Sequence, residues 1–105
     1  MECHSAWSRG VSDYKTGLGR GGRAFPAREG SPAGTPASIA ANITSDPAAG
    51  IGGWTDAEIR RAITHGIGRD GRALKAPMAY GAYAGLNNAD LADVIAYLRS
   101  VPPLP

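Results

Sequence analysis

Residues 88–100 read NADLADVIAYLRS and contain the clearest helical pattern in this sequence of 105 residues. Apolar residues begin at Leu91 and recur at the i, i+3, i+4 and i+7 spacing that lines one face of an α-helix. Asn87 or Asn88 can cap the first turn, and Pro102 stops the helix soon after its end. This stretch predicts a helix over residues 88–100.

A second helix is predicted over residues 55–66. Thr55 and Glu58 have the spacing of a capping box, and Ile59 starts an apolar pattern with helical spacing that ends at Gly66. Residues 17–53 consist mainly of Gly, Pro, Ala, Ser and Thr and show no strand alternation, so loops are expected there. A flexible linker over residues 17–37 is the alternative for part of that stretch. The secondary-structure pattern predicts an all-α protein with long loops.

The composition limits how such a chain can be stabilised. It contains 15 Gly and 8 Pro, and Cys3 is its only cysteine, so no disulfide can form within the chain. A small, loop-rich domain then needs a metal or a bound cofactor. The net charge of +2 is too small to indicate nucleic-acid binding, and no apolar run approaches the length of a membrane span. The sequence also shows no secretory leader.

The first four residues, MECH, carry the most informative chemistry. A cysteine followed directly by histidine is the second half of C-x-x-C-H, in which thiols attach haem and the imidazole binds iron. The first cysteine of the motif would stand just before Met1, so we expect the sequence to begin inside the motif. Met1 and Met78 are the only candidates for a thioether ligand opposite His4. Met78 follows Pro77 between the two helices, although filling a gap in the core is the ordinary role of a methionine.

Several short sequence motifs follow one another in the chain: NITSDP at 42–47, GIGGWTD at 50–56, RDGR at 69–72, PM at 77–78 and AYLRS at 96–100. Their order resembles the cytochrome c domains of electron-transfer subunits in bacterial membrane-bound alcohol, aldehyde, gluconate and nicotinate dehydrogenases. The resemblance implies a small class I cytochrome c fold whose loops wrap a covalently attached haem c, in a periplasmic setting. It extends over residues 1–105 as a single domain, with the first helix of the family missing.

The resemblance also assigns the haem contacts. It makes Cys3 the thioether cysteine, His4 the proximal iron ligand and Met78 the distal ligand, with Ala79 where the family often has proline. The other cofactor contacts that it implies are Asn42, Ile43, Thr44, Trp54, Pro77 and Tyr80. The first four match the loop beside the haem propionates, where the Trp54 indole N–H would donate to a carboxylate. The last two would lie against the ring.

One-electron transfer is therefore the function expected from the sequence, without enzymatic activity. The resemblance implies a dehydrogenase catalytic subunit as donor, a quinone or terminal oxidase as acceptor, and membrane association only through segments outside this sequence. No nucleic-acid partner is expected, because the single RGGR at 20–23 is weak as an RNA-binding signal. We interpret RGGR as a loop near the haem edge, where its charge would offset the propionates or face an acidic partner.

Other interpretations stay open at this point. A peroxidase-like enzyme would result if Met78 left the iron, and a non-haem interaction module needs no ligand at all. His65 could replace Met78, or bind zinc together with Cys3 and His4, although a histidine at a helix C-terminus is commonly structural.

The absence of the first helix predicts an exposed apolar stripe on the last helix, because the two pack together in the family. Burial of one large apolar side chain contributes roughly 1.5–3 kcal/mol, so the loss of this burial would be comparable with the whole stability of a small domain. The side chains expected to lack cover are Leu91, Val94, Ile95, Tyr97 and Leu98.

Overall fold

The computed structural model describes all 105 residues, with the helices in the C-terminal half of the chain. Helix α1 spans Asp56–His65, α2 Tyr80–Tyr83 and α3 Asn88–Ser100. The strands β1 (Ala6–Ser8), β2 (Val11–Asp13), β3 (Ala24–Phe25) and β4 (Ser38–Ile39) form two antiparallel pairs, β1 with β2 and β3 with β4. None of the helices has the length and apolar character that a membrane crossing requires.

Both long helices are confirmed, with the ends that their local sequence predicts. Thr55 caps α1 by accepting from the Glu58 backbone N–H, while the Glu58 carboxylate accepts from the Thr55 N–H at 2.9 Å. Gly66 ends α1 in the left-handed conformation, at φ 65°. Asn87, rather than Asn88, caps α3 by accepting from the Asp90 N–H at 2.8 Å.

The all-α prediction is wrong, because helices make up only 26% of the chain and strands 11%. The strands are two or three residues long, too short for an alternating pattern to show in the sequence. Arg9 and Gly10 join β1 to β2, and both have positive φ values of 50° and 84°. This is the conformation that a two-residue hairpin turn needs, but arginine is an unusual residue in it.

Part of the proposed linker is bound to the rest of the protein. The Gly21 N–H donates to the His4 carbonyl at 2.6 Å, and the Gly22 N–H donates to the Ala40 carbonyl at 2.8 Å. The Gly19 carbonyl accepts from the Ile43 N–H at 2.8 Å. The backbone of residues 19–22 therefore joins the N-terminal segment to residues 40–43.

The core lies between α1, α3 and the loop that precedes α1. Its five buried members belong to one cluster: Ile51, Ile59, Leu91, Ile95 and Leu98. Met1, Ile43, Trp54 and Ile63 are partly buried and pack against this cluster. Residues from the loop and from the N-terminus thus cover the face of α3 that was expected to lack a partner.

The predicted apolar stripe on α3 is wrong for three of its five residues. Leu91, Ile95 and Leu98 are no more than 8% exposed, whereas Val94 is 37% and Tyr97 49% exposed, as predicted. The three buried positions belong to the cluster that includes Ile51 of the loop and Ile59 of α1, and Val94 and Tyr97 do not.

Arg99 holds that loop in place from the end of α3. Its guanidinium donates to the Trp54 carbonyl at 2.6 Å and to the Asp56 carboxylate at 2.8 Å. The side chain thereby joins α3 to the N-terminus of α1 and to the residue before its cap.

Candidate functional site

His4 is held by two hydrogen bonds just before β1. Its carbonyl accepts from Gly21, and its ring Nδ1 lies 2.9 Å from the Ala41 carbonyl oxygen. A carbonyl oxygen can only accept, so Nδ1 must carry the proton and donate it. The other ring nitrogen, Nε2, then has its lone pair free and makes no hydrogen bond within the chain. A metal-binding histidine shows this arrangement, with a backbone carbonyl fixing the tautomer and the ring orientation.

Cys3 lies next to His4 with its thiol free and exposed. An accessible thiol beside a histidine with a free Nε2 fits the chemistry of covalent haem attachment. The chain contains no group of three or more His, Cys, Asp or Glu side chains placed to hold a metal ion. The zinc alternative, which needs such a group, therefore has no support.

The two methionines have different surroundings. Met1 packs against the hydrophobic core, where its methyl group lies close to Gly19. Met78 is half-buried outside that cluster, in the irregular segment before α2, and its sulfur makes no hydrogen bond. Met1 thus has the core role that is ordinary for methionine, and Met78 has the thioether that is free to bind a metal.

The loop residues assigned to the propionate side have their polar groups engaged within the protein. The Asn42 amide donates to the Leu104 carbonyl at 2.7 Å, and its oxygen accepts from the Thr44 N–H at 2.9 Å. The Thr44 hydroxyl is fully buried and accepts from the Leu104 N–H at 3.1 Å. These side chains hold the C-terminal segment in place, a role that the sequence did not suggest because Leu104 lies 60 residues after Thr44.

Ile43 and Trp54 both lie at the edge of the core, partly exposed. The Trp54 indole N–H makes no hydrogen bond within the chain, so it keeps a free donor. Contact of these two residues with haem stays a prediction, as it does for Asn42 and Thr44.

Pro77 and Tyr80 flank Met78 but have different neighbours. Pro77 is exposed and lines a cleft of about 460 Å³ together with Phe25 and Lys75. The Tyr80 ring lies over Gly66, so closely that a Cβ at Gly66 would come within 2.5 Å of a ring carbon. The Tyr80 ring is thus already in contact with the end of α1 on one side.

The RGGR loop at 20–23 is fixed by its arginines. The Arg23 guanidinium lies over the rings of Trp7 and Phe25, 5.1 and 4.9 Å from their centres, and 3.7 Å from the Glu2 carboxylate. Arg20 donates to the carbonyl of Pro105 at 3.2 Å. Arg23 thereby links the two strand pairs.

Two carboxylates have pKa values below their ordinary range, and both stabilise local structure. The pKa of Asp13 is lowered by hydrogen bonds from the Thr16 hydroxyl and from the backbone N–H groups of Thr16 and Lys15. The pKa of Glu58 is lowered mainly by the Thr55 backbone N–H. They belong to a turn and to a helix cap, not to the predicted iron ligands His4 and Met78.

His65 lies at the exposed end of α1, where its Nδ1 is 2.8 Å from the Thr64 hydroxyl. It lines a surface depression with Asp56, Arg60 and Arg61. These neighbours fit the structural role of a histidine at a helix C-terminus better than that of an iron ligand.

Similar proteins include subunits of bacterial dehydrogenases. The chain is 44% identical over 63 residues to a subunit of nicotinate dehydrogenase from Pseudomonas putida, and 40% identical over 64 residues to the cytochrome c subunit of alcohol dehydrogenase (quinone) from Gluconacetobacter polyoxogenes. Each match covers 60% of the chain, but 5% and 14% of the respective relative. The cytochrome c subunit of gluconate 2-dehydrogenase from Pantoea cypripedii is 32% identical over 88 residues, which are 81% of the chain and 20% of that protein.

The chain thus spans a small part of the length of these relatives. The family model described as cytochrome c matches residues 1–102, nearly the whole chain. Haem c, with its iron, is the cofactor that this match implies. The protein belongs to the cytochrome c family.

Proposed function

We propose that this electron-transfer haem protein binds one haem c between His4 and Met78, attached through the thiol of Cys3. The observation that carries the proposal is the hydrogen bond from His4 Nδ1 to the Ala41 carbonyl, because it leaves Nε2 as the metal-binding nitrogen. The free thioether of Met78 and the core position of Met1 support the choice of the second ligand.

Each residue contributes a distinct property to such a centre. The Ala41 carbonyl holds the proton on His4 Nδ1, which orients the ring and raises the basicity of Nε2. The Met78 thioether is a soft ligand that has no proton to lose, and methionine ligation favours a high reduction potential of the haem iron. Haem iron, when bound, supplies a one-electron couple. If His4 and Met78 both bound the iron, no position would remain for a substrate, and we therefore propose a carrier rather than an enzyme.

The relatives support the choice of electron donor. Because those proteins are dehydrogenase subunits, two of them named as cytochrome c subunits, we propose that a dehydrogenase catalytic subunit supplies the electrons. A quinone or terminal oxidase of the respiratory chain would receive them, in the periplasm, with membrane association through segments outside residues 1–105. Those residues would act as one cytochrome c domain. The proposed contacts with the cofactor are the remaining predicted residues, Asn42, Ile43, Thr44, Trp54, Pro77 and Tyr80.

The absorption spectrum of the haem-loaded protein tests the ligand assignment. We expect the weak ferric band that reports sulfur ligation, its loss in Met78→Ala, and its retention in His65→Ala. An unchanged spectrum in Met78→Ala would refute Met78 as ligand. Five-coordinate, high-spin iron in the isolated protein would favour the peroxidase-like alternative instead. Failure to bind haem in a host that matures c-type cytochromes, even when a cysteine is restored just before Met1, would favour an interaction module.

A further inference from the structure

One short segment, residues 38–41, is hydrogen-bonded to both proposed ligand regions. At its C-terminal end, the Ala41 carbonyl accepts from His4 Nδ1 at 2.9 Å. At its N-terminal end, the Ser38 hydroxyl donates to the Ala76 carbonyl at 2.8 Å. Ala76 lies two residues before Met78. We refer to residues 38–41 as the linking segment.

The length of the linking segment limits the distance between its two attachment points. Three residue steps separate Ser38 from Ala41, and a fully extended chain advances at most about 3.6 Å per residue. The Cα atoms of Ser38 and Ala41 therefore lie within about 11 Å of each other. The covalent chain sets this limit, and the two hydrogen bonds connect the ends of the segment to the His4 ring and to the Ala76 carbonyl.

The linking segment is itself braced along its length. Ser38 and Ile39 form β4, which pairs with Phe25 and Ala24. Beyond the strand, the Ala40 N–H donates to the Arg23 carbonyl at 2.9 Å, and the Ala40 carbonyl accepts from Gly22. Backbone hydrogen bonds therefore hold the residues between the two attachment points, so a change at one end is transmitted through ordered structure.

The methionine region has few other attachments. Within residues 75–79, the Met78 N–H donates to the Lys75 carbonyl at 3.2 Å, and the Ala79 carbonyl accepts from the backbone N–H groups of Ala82 and Tyr83 in α2, at 3.0 and 3.3 Å. All three bonds are local to the turn and the short helix that follows it. The bond from Ser38 is the only side-chain hydrogen bond to these five residues. Pro77 is exposed beside it, on the wall of the cleft. Ser38 is thus the one polar side chain that joins the methionine region to the histidine region.

We propose that Ser38 is a positioning residue for Met78, acting through the linking segment that also orients His4. The hydroxyl holds the Ala76 carbonyl, and this restrains the turn that presents the thioether. The proposal rests on the proposed function, since it assumes that Met78 binds iron. Without the hydroxyl, the turn opens more readily and an added ligand can replace the thioether more easily.

Displacement of the sulfur ligand by imidazole tests this role. In Ser38→Ala, we expect imidazole to abolish the ferric sulfur-ligation band at about 2- to 10-fold lower concentration, since one hydrogen bond contributes about 0.5–1.5 kcal/mol net. Ser38→Thr keeps the hydroxyl and should restore the original concentration. Thr35→Ala is the matched control, because the Thr35 hydroxyl donates to Pro32 within the same loop, at 2.6 Å.

A Ser38→Ala titration that coincides with the wild type would overturn the proposal, as would an equal effect of Thr35→Ala. Hydrogen exchange of the haem-loaded protein gives a second measurement that does not depend on the sulfur-ligation band. There the Met78 amide should exchange about 2- to 10-fold faster in Ser38→Ala than in Thr35→Ala, and equal rates would count against the restraint. If the wild type lacks the sulfur band, the ligand assignment fails, and the exchange rates alone decide whether Ser38 restrains the turn.

Discussion

Replacing Thr44 with valine should destabilise the protein strongly, although the two side chains have nearly the same shape. The Thr44 hydroxyl is buried and accepts from the backbone N–H groups of Leu104 and Asp46, at 3.1 and 3.3 Å. Asn42 keeps its bond from the Thr44 N–H in the variant, and the Leu104 carbonyl keeps its bond from the Asn42 amide. Only the backbone N–H groups of Leu104 and Asp46 lose their acceptor, the Thr44 hydroxyl. Each unpaired buried donor costs about 1–3 kcal/mol, and their partial burial favours the lower half of that range. We expect the free energy of unfolding to fall by about 2–4 kcal/mol.

Urea unfolding followed by tryptophan fluorescence measures this loss, because Trp54 packs against the core. Thr35→Val makes the same chemical change at an exposed hydroxyl and should stay within about 0.5 kcal/mol of the wild type. Both variants are compared with the wild type in the same haem state, because cofactor binding itself shifts stability. A Thr44→Val protein within about 0.5 kcal/mol of the wild type would refute the role assigned to the buried hydroxyl.

Two further predictions concern the ends of α1. Gly66→Ala should lower the free energy of unfolding by about 2–4 kcal/mol, because it strains the left-handed backbone and brings a Cβ within 2.5 Å of the Tyr80 ring. Gly71→Ala, also at positive φ but in open space, should lower it by about 1–2 kcal/mol. Equal melting temperatures for the two variants would contradict the steric argument. Because the pKa of Glu58 is lowered in the folded protein, its charged form stabilises the fold at pH values above the ordinary pKa of about 4.3. This contribution is lost as the pH falls through the pKa that Glu58 has in the folded protein. Glu58→Gln keeps the cap bond to Thr55 but not the charge, so its urea midpoint should lie below that of the wild type at neutral pH and approach it as the pH falls. A gap between the two midpoints that stays constant as the pH falls would contradict this assignment.

The two long helices could be predicted from the sequence because their signals are local. The capping residue Thr55 contacts a partner three positions away, and Asn87 does the same. The pair Cys3-His4 could be proposed for haem attachment from the sequence because the two residues are adjacent, and this role stays a prediction. Met78 could be proposed as the distal ligand from the resemblance, and the tertiary structure adds that Met1, the other methionine, packs against the core.

The errors arose where distant residues decide the outcome. The strand pairs were missed because β3 and β4 have two residues each and meet across a long loop. The burial of Leu98 was missed because the residues that share its cluster outside α3, Ile51 and Ile59, are distant from it in the sequence. No pattern within α3 itself indicates which distant residues will bury its face.

By itself, the sequence determined the cytochrome c identity, the bounds of α1 and α3, and a cysteine and histidine suited to haem. Tertiary structure alone decided which face of α3 is covered, and it showed that the Ala41 carbonyl orients His4 and that Ser38 reaches the methionine region. The physical reason is the range of the interactions. Caps and helical periodicity act within about four residues. The bond between His4 and Ala41 joins residues 37 positions apart, and the bond between Ser38 and Ala76 joins residues 38 positions apart. Both acceptors are backbone carbonyls, which every residue has, so the residue type does not indicate these bonds.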